Sequence, residues 1–245
     1  MDTSFWKQLH PDIRVQQSKQ LLYGRYPYRL VIRCHGSHML RYPEPFEDQL
    51  QWSSQWRNIN YGGSWRYRQH QKPNADELKL LTNLKLYREE SALLESEEIK
   101  MRIENPLIQI YAKDIKQLEE FVTDVFANFK HSDFLESITL PKNSKDLDLL
   151  TQGYVLRSHT DYAFKVNLRD GKYNHVTRSN LLKYLDQLGP DVSVPKSTRL
   201  ALEKNKGDFI WSAYFYCMDE NITLMISMMD PRLIRSIDRY HSTAK

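Results

Sequence analysis

Residues 26–33 read YPYRLVIR, and residues 162–169 read YAFKVNLR. Both segments place aromatic and aliphatic side chains at alternate positions, which is the two-residue period of a half-buried β-strand. The intervening positions are mostly cationic or polar: Arg29 and Arg33 in the first segment, and Lys165, Asn167 and Arg169 in the second. This agreement in pattern and in residue type predicts two equivalent strands.

A second pair of similar segments follows the first pair in the same order along the chain. Residues 104–114 and 220–230 are identical at four of eleven positions, which are Glu104/Glu220, Asn105/Asn221, Ile110/Ile226 and Asp114/Asp230. We interpret each Glu-Asn pair as a turn between two strands, and each aspartate as the N-cap of the next helix. The pattern therefore predicts hairpins over 99–112 and 210–228, each followed by a helix.

Together these segments predict an α+β fold with two pseudo-repeated lobes, residues 1–135 and 136–245, as expected for an internal duplication. Each lobe contains a strand, a helical connection, a β-hairpin and a helix. Apolar spacing predicts the connecting helices, one starting at Asn74 and two over 177–188 and 195–204. The first connection is about 20 residues longer than the second, and an aromatic and arginine-rich insertion at about 46–72 accounts for the excess.

Length and composition exclude several classes of protein. The chain has 245 residues, enough for one large domain or two small ones, and its 15 Tyr, 9 Phe and 5 Trp exclude a mainly disordered chain. No apolar stretch approaches the roughly 20 residues of a membrane helix, so we expect a soluble protein with no membrane partner. The two cysteines, Cys34 and Cys217, are too few for a disulfide framework, which favours a reducing, cytoplasmic location.

Familiar catalytic motifs are absent from the sequence. It contains 8 Gly and neither a phosphate-binding loop, a dinucleotide fingerprint, a nucleophile elbow nor a zinc-protease motif. The closest approaches to a metal cluster, Cys34 with His35 and His38, and Asp146 with Asp148, are better explained as a strand end and as the first turn of a helix. The sequence therefore predicts no catalytic residue, no metal and no cofactor.

Charge is distributed unevenly along the chain. Residues 1–73 carry a net charge of +6, residues 74–150 carry −6, and residues 151–245 carry +4. In the first, basic part, aromatic rings alternate with guanidinium groups, and this combination suits single-stranded nucleic acid, because bases stack on rings while cations pair with phosphates. We therefore predict non-enzymatic binding of RNA or single-stranded DNA, through Arg25, Arg29, Arg33, Trp52, Trp56, Arg57, Tyr61, Trp65, Arg66, Tyr67, Arg68 and Lys72.

Two alternatives stay open at this point. The clustered tryptophans of the insertion are also typical of a packed core with arginines along its edge. In the second alternative, the chain is a structural or assembly protein, in which the insertion and the acidic segment 89–98 contact other protein chains or a second copy.

Overall fold

A computed structural model describes residues 3–51, 73–90, 97–104, 106–127, 129, 133–204 and 209–243. These residues form both helices and strands, which are interspersed along the chain. This confirms the predicted α+β class. The chain divides into two compact units, unit 1 with Met1–Ser18 and Leu22–Ser144, and unit 2 with Lys19–Leu21 and Lys145–Lys245.

Unit 1 contains the elements α1 (Ser4–Leu9), β1 (Arg14–Gln17), β2 (Tyr28–Arg33), a 3-10 helix (Ser37–Arg41), α2 (Ala75–Glu90), β3 (Ile99–Glu104), β4 (Leu107–Ala112), α3 (Ile115–Phe126) and β5 (Leu135–Leu140). Its five strands form one sheet with the order β1-β5-β2-β4-β3. Strand β1 runs parallel to β5, and the other neighbours are antiparallel. From β2 onward the chain follows the order βαββαβ, a known supersecondary arrangement.

The strand register gives the sheet of unit 1 two different faces. Leu30 pairs with Ile110 and Ile138, and these apolar side chains are fully buried in the core with those of α2 and α3. Arg29, the residue before Leu30, belongs to the opposite face, which we call the outer face. The alternation predicted for β2 is therefore confirmed.

Side-chain caps fix the starts of α2 and α3 in unit 1. Asp114 accepts a hydrogen bond from the amide of Lys116, which confirms the predicted N-cap, and Gln117 accepts one from the amide of Asp114, which completes a capping box. Asn74 and Glu77 form a reciprocal pair of hydrogen bonds at the start of α2. The amide nitrogen of Asn74 lies 2.8 Å from Glu77 Oε2, and that of Glu77 lies 2.9 Å from Asn74 Oδ1. The predicted helix start at Asn74 is thus confirmed as well.

The buried carboxylate of Glu77 also anchors α2 to the chain after β2. It accepts hydrogen bonds from the amides of Asn74 and His35, and His35 Nδ1 lies 2.6 Å from Oε1. Burial by itself would raise the pKa of Glu77, but these hydrogen bonds together hold it below the ordinary value.

The variant Glu77→Gln is expected to lower the free energy of unfolding by about 1–3 kcal/mol at neutral pH, because a charged acceptor is lost from a buried network. Since the folded-state pKa is lowered, the carboxylate stabilises the fold above the unfolded pKa of about 4.3, and this contribution disappears as the pH falls through the folded value. Urea unfolding between about pH 7 and about pH 3 should show the difference shrinking with acid. The exposed Glu89 on the same helix provides the control variant Glu89→Gln, and a difference independent of pH would contradict the assignment.

Unit 2 contains the elements α4 (Ser144–Thr151), β6 (Tyr154–Arg157), β7 (Phe164–Leu168), β8 (Gly171–Lys172), α5 (His175–Gln187), a 3-10 helix (Gly189–Asp191), β9 (Val192–Ser193), α6 (Lys196–Glu203), β10 (Phe209–Ile210), β11 (Tyr214–Cys217), α7 (Ile222–Met229) and β12 (Ile234–Ser242). Five strands form a sheet of order β6-β12-β7-β11-β9, and β10 with β8 forms a separate pair. Strand β6 runs parallel to β12, and the remaining neighbours in the larger sheet are antiparallel. The helices predicted at 177–188 and 195–204 are confirmed as α5 and α6.

The hairpin predicted in the second lobe is wrong. Ile222–Met229 forms α7, Asp230 follows this helix instead of capping a new one, and β12 begins at Ile234. Ile222 and Ile226 are buried one helical turn apart, and a short apolar run of this kind does not distinguish a strand from a helix by its period. In both units the strands nevertheless pair in the same order, and an origin by duplication stays a prediction.

Candidate nucleic-acid interface

The predicted binding residues fall into two groups. Nine of the twelve belong to the insertion and lie outside the described residues: Trp52, Trp56, Arg57, Tyr61, Trp65, Arg66, Tyr67, Arg68 and Lys72. The other three, Arg25, Arg29 and Arg33, are described. The evidence for an interface in unit 1 therefore comes from these arginines and from the side chains around them.

Arg29 and Arg33 lie on β2, as predicted, and both face neighbouring polar groups. Arg33 Nε donates to Glu136 at 2.8 Å, and Arg14 also forms an ion pair with this carboxylate. Arg29 Nη2 lies 3.2 Å from the side-chain oxygen of Gln16 and 3.3 Å from that of Thr139. These two arginines thus point toward the β5 and β1 side of the sheet.

Arg25 was predicted as a binding residue together with Arg29 and Arg33, but it does not lie on β2. It precedes β2, in a turn closed by a β-bridge between Leu22 and Tyr26. Its guanidinium group forms an ion pair with Glu97, just before β3. Arg25 is therefore directed to the opposite edge of the sheet from Arg33.

At that edge lies a cleft of about 900 Å³, which we call the β3 cleft. Five of its lining side chains are cationic, and all five belong to exposed residues. They come from four separate parts of unit 1, and only proximity in the fold unites them. The cleft is lined by Tyr23, Arg25, Tyr26, Arg41, Arg88, Glu97, Ile99, Lys100, Met101, Arg102 and Ile103.

Neutral acceptors hold two of the cleft arginines. Arg41, at the end of the 3-10 helix, donates to the carbonyl of Ile103. This carbonyl is accessible because β3 is the edge strand of its sheet. Arg88, near the end of α2, donates to the carbonyl of Leu40 at 2.7 Å. A carbonyl orients a guanidinium group without neutralising it, so both charges remain available to an anion.

Carboxylates accompany the other cations only in part. Glu97 pairs with Arg25 and Glu104 pairs with Arg102. Among the described residues, five cations therefore face two carboxylates at this cleft. Exposed ion pairs contribute little free energy, so a phosphate group can replace the carboxylate at small cost.

Tyr23 places an exposed aromatic ring beside these cations. The ring is 45% exposed, Lys100 Nζ lies 3.9 Å from its centre, and its hydroxyl accepts a hydrogen bond from Arg102 at 2.7 Å. Tyr111 meets the ring edge-on at 5.0 Å. Tyr23 has φ of 53°, an unusual backbone conformation for a bulky residue, and these contacts hold it there. The cleft thus combines a ring with cations, the combination sought in the insertion.

Sequence reasoning missed most of the cleft. Arg41, Arg88, Lys100 and Arg102 share no spacing that a motif could describe, and only Arg25 was among the predicted residues. The alternation within β3, where Lys100 and Arg102 lie two residues apart on one face, was the one local signal available.

Both cysteine thiols lie in the core of the described structure. Burial raises the pKa of the Cys34 thiol to about 12 and that of Cys217 to about 11, so neither supplies a thiolate nucleophile near neutral pH. Within the described ranges, no three His, Cys, Asp or Glu side chains form a group suited to a metal ion.

No helix in the described part of the chain combines the length and the apolar character needed to cross a bilayer.

The sequence matches no model of a known protein family, and no curated protein is significantly similar to it.

Proposed function

We propose that this protein binds single-stranded nucleic acid, either RNA or single-stranded DNA, without catalysing a reaction. The observation that carries the proposal is the β3 cleft, where five cations from four parts of unit 1 face only two carboxylates among the described residues. A polyanion gains most from such a site, because each phosphate that pairs with a cation releases bound counterions.

Chemistry at the cleft favours a single strand over an isolated anion. Arg25, Arg41, Arg88, Lys100 and Arg102 line one cleft at the β3 edge, so that more than one phosphate can pair with a cation there. The exposed ring of Tyr23 adds a surface for an unpaired base. The insertion residues between Trp52 and Lys72 remain proposed contacts for the same ligand.

The salt dependence of binding tests this proposal. Fluorescence anisotropy with labelled oligo(U) and oligo(dT) should show an association constant that falls linearly with salt on logarithmic axes. Three to five phosphate contacts give a slope of about −2 to −3.5 for a single strand. A slope near zero, or no association at low salt, would contradict the proposed function, and the two oligonucleotides would distinguish RNA from DNA as the preferred ligand.

Binding of other protein chains is a second candidate function, and helix α7 favours it. This helix exposes Leu224, Met225 and Met228, by 63%, 48% and 79% respectively. Exposed methionines adapt to varied partner surfaces, and contiguous apolar patches are typical of interaction sites. If the folded chain fails to bind either oligonucleotide, this candidate replaces the first.

The two cysteines are both free and buried, which supports the further proposal of a reducing, cytoplasmic location.

A further inference from the structure

The sheet of unit 2 presents tyrosines on the face opposite to its core. Val166 and Phe215 are paired neighbours on β7 and β11, and both are fully buried against the helices of this unit. Side chains alternate along a strand, so Lys165, Tyr214 and Tyr216 point to the other face. Lys165 pairs directly with Tyr216.

Four half-buried tyrosines form a connected group on that face, and we call them the tyrosine face. Tyr216 lies at the centre, with its ring 5.5 Å from that of Tyr214 and 6.1 Å from those of Tyr162 and Tyr240. The rings of Tyr162 and Tyr216 are nearly parallel, with 26° between their planes. The rings are supported by their neighbours, so little side-chain freedom remains to be lost when a ligand binds.

Cations lie against these rings. Lys165 Nζ lies 4.3 Å from the centre of the Tyr214 ring, and Arg157 lies 5.0 Å from that of Tyr240. Asp238 is a carboxylate of the same strand face, where it accepts a hydrogen bond from Asn167 at 3.0 Å. The two cations therefore exceed this acid by one charge, and an anionic ligand is favoured.

The equivalent position in unit 1 is occupied differently. Tyr111 lies opposite Arg29 as Tyr216 lies opposite Lys165, yet Tyr111 is only 3% exposed because Tyr23 packs against it. In unit 2, Tyr214 and Tyr216 are both half-buried and keep part of their surface in contact with solvent. The two sheets thus use the same position for an internal contact in one unit and for an accessible ring in the other.

We infer that the tyrosine face stacks unpaired bases of a single strand, with Lys165 and Arg157 beside the phosphates. Aromatic side chains on a four-stranded sheet stack two or three bases in one class of RNA-binding domain, which shows that the face of a sheet suits base stacking. This inference rests on the proposed function, and it names a second site for the same ligand, separate from the β3 cleft.

The experiment compares oligonucleotides of about ten nucleotides with abasic strands of equal length and charge, using the full chain. We expect the unmodified chain to bind the base-containing strands more tightly. The variant Tyr216→Leu should weaken that binding by roughly 5- to 150-fold and leave abasic binding unchanged, because one stacked base is lost. Tyr216→Phe keeps the ring and should bind as the unmodified chain does. Oligo(U) and oligo(dT) arms identify which nucleic acid supplies the bases.

One outcome would overturn the inference alone, and another would overturn the proposed function. If Tyr216→Leu binds every strand as the unmodified chain does, base stacking at this face is excluded while nucleic-acid binding stands. If the unmodified chain binds no strand at all, the proposed function itself fails.

A measurement on the unmodified chain protects the test against a variant that does not fold. Photocrosslinking to 5-iodouracil strands, with the site located by mass spectrometry, should modify the peptide that contains Tyr214 and Tyr216. Efficient crosslinking that is confined to other peptides would contradict the inference.

Discussion

The double variant Lys100→Ala/Arg102→Ala is expected to bind a single-stranded oligonucleotide roughly 50- to 100-fold more weakly than the unmodified chain at about 50 mM salt. Both residues are exposed on β3 and line the β3 cleft. Each lost phosphate contact should reduce the slope of the logarithmic salt plot by about 0.7, so two contacts reduce it by about 1.4. The curves of variant and unmodified chain should therefore meet near about 1 M salt.

A matched control double variant removes the same net charge at two positions outside the β3 cleft. Lys116 on α3 and Lys183 on α5 are both exposed and lie on helices that pack against the core face of their sheets. Lys116→Ala/Lys183→Ala should retain the slope and the affinity of the unmodified chain. Equal weakening in both double variants would show that overall charge governs binding, and the β3 cleft would lose its role.

The second large effect is expected from Phe215→Ala. Phe215 lies on β11 with 0% of its surface exposed, and its ring fills the core between the sheet of unit 2 and its helices. Truncating a buried phenylalanine removes apolar contacts and leaves a cavity, which costs about 3–5 kcal/mol. Urea unfolding followed by circular dichroism measures the loss, with each transition fitted separately because a chain of two units need not unfold in one step.

Phe209 provides the control for this measurement. It lies on β10 of the same unit and is 39% exposed, with its ring against Trp211. Phe209→Ala should cost less than about 1 kcal/mol, because most substitutions at exposed positions have small effects. If both variants lose the same free energy, the position of Phe215 in the core is wrong.

Local patterns in the sequence were sufficient for part of the fold. The alternation in residues 26–33 and 162–169 located β2 and β7, and the structure keeps the register of that alignment: Arg29 and Lys165 lie at equivalent positions, each opposite a tyrosine. Capping residues such as Asp114 were also predictable, since a cap depends on only a few neighbouring residues.

Other elements depend on contacts that are distant in sequence. The eight residues of α7, six of them apolar, allow a strand or a helix, and packing of Ile222 and Ile226 against the core favours the helix. The strands β1 and β6 are short, and each pairs with the last strand of its unit, which no local period indicates. The prediction of lobes ending in a helix therefore missed β5 and β12.

The candidate sites show the same limit. The β3 cleft unites residues from 23 to 103, and its net charge follows from proximity instead of spacing. Two residues of the tyrosine face, Tyr214 and Tyr216, alternate in the sequence, but the sequence pattern assigned them only to a strand of the predicted hairpin over 210–228. Only the strand order shows that Tyr216 lies beside Lys165 and Tyr240.

The parallel pairing of β1 with β5 affects how readily copies of the protein associate through their sheet edges. Without β1, the backbone of β5 would present an unpaired row of donors and acceptors, to which a strand of another copy could attach. Strand β1 pairs with this row and becomes the edge strand itself. It has only four residues, and three of them, Arg14, Gln16 and Gln17, are polar or charged. Short, polar edge strands discourage copies of a protein from joining sheet to sheet, so β1 disfavours such association at this edge of the sheet.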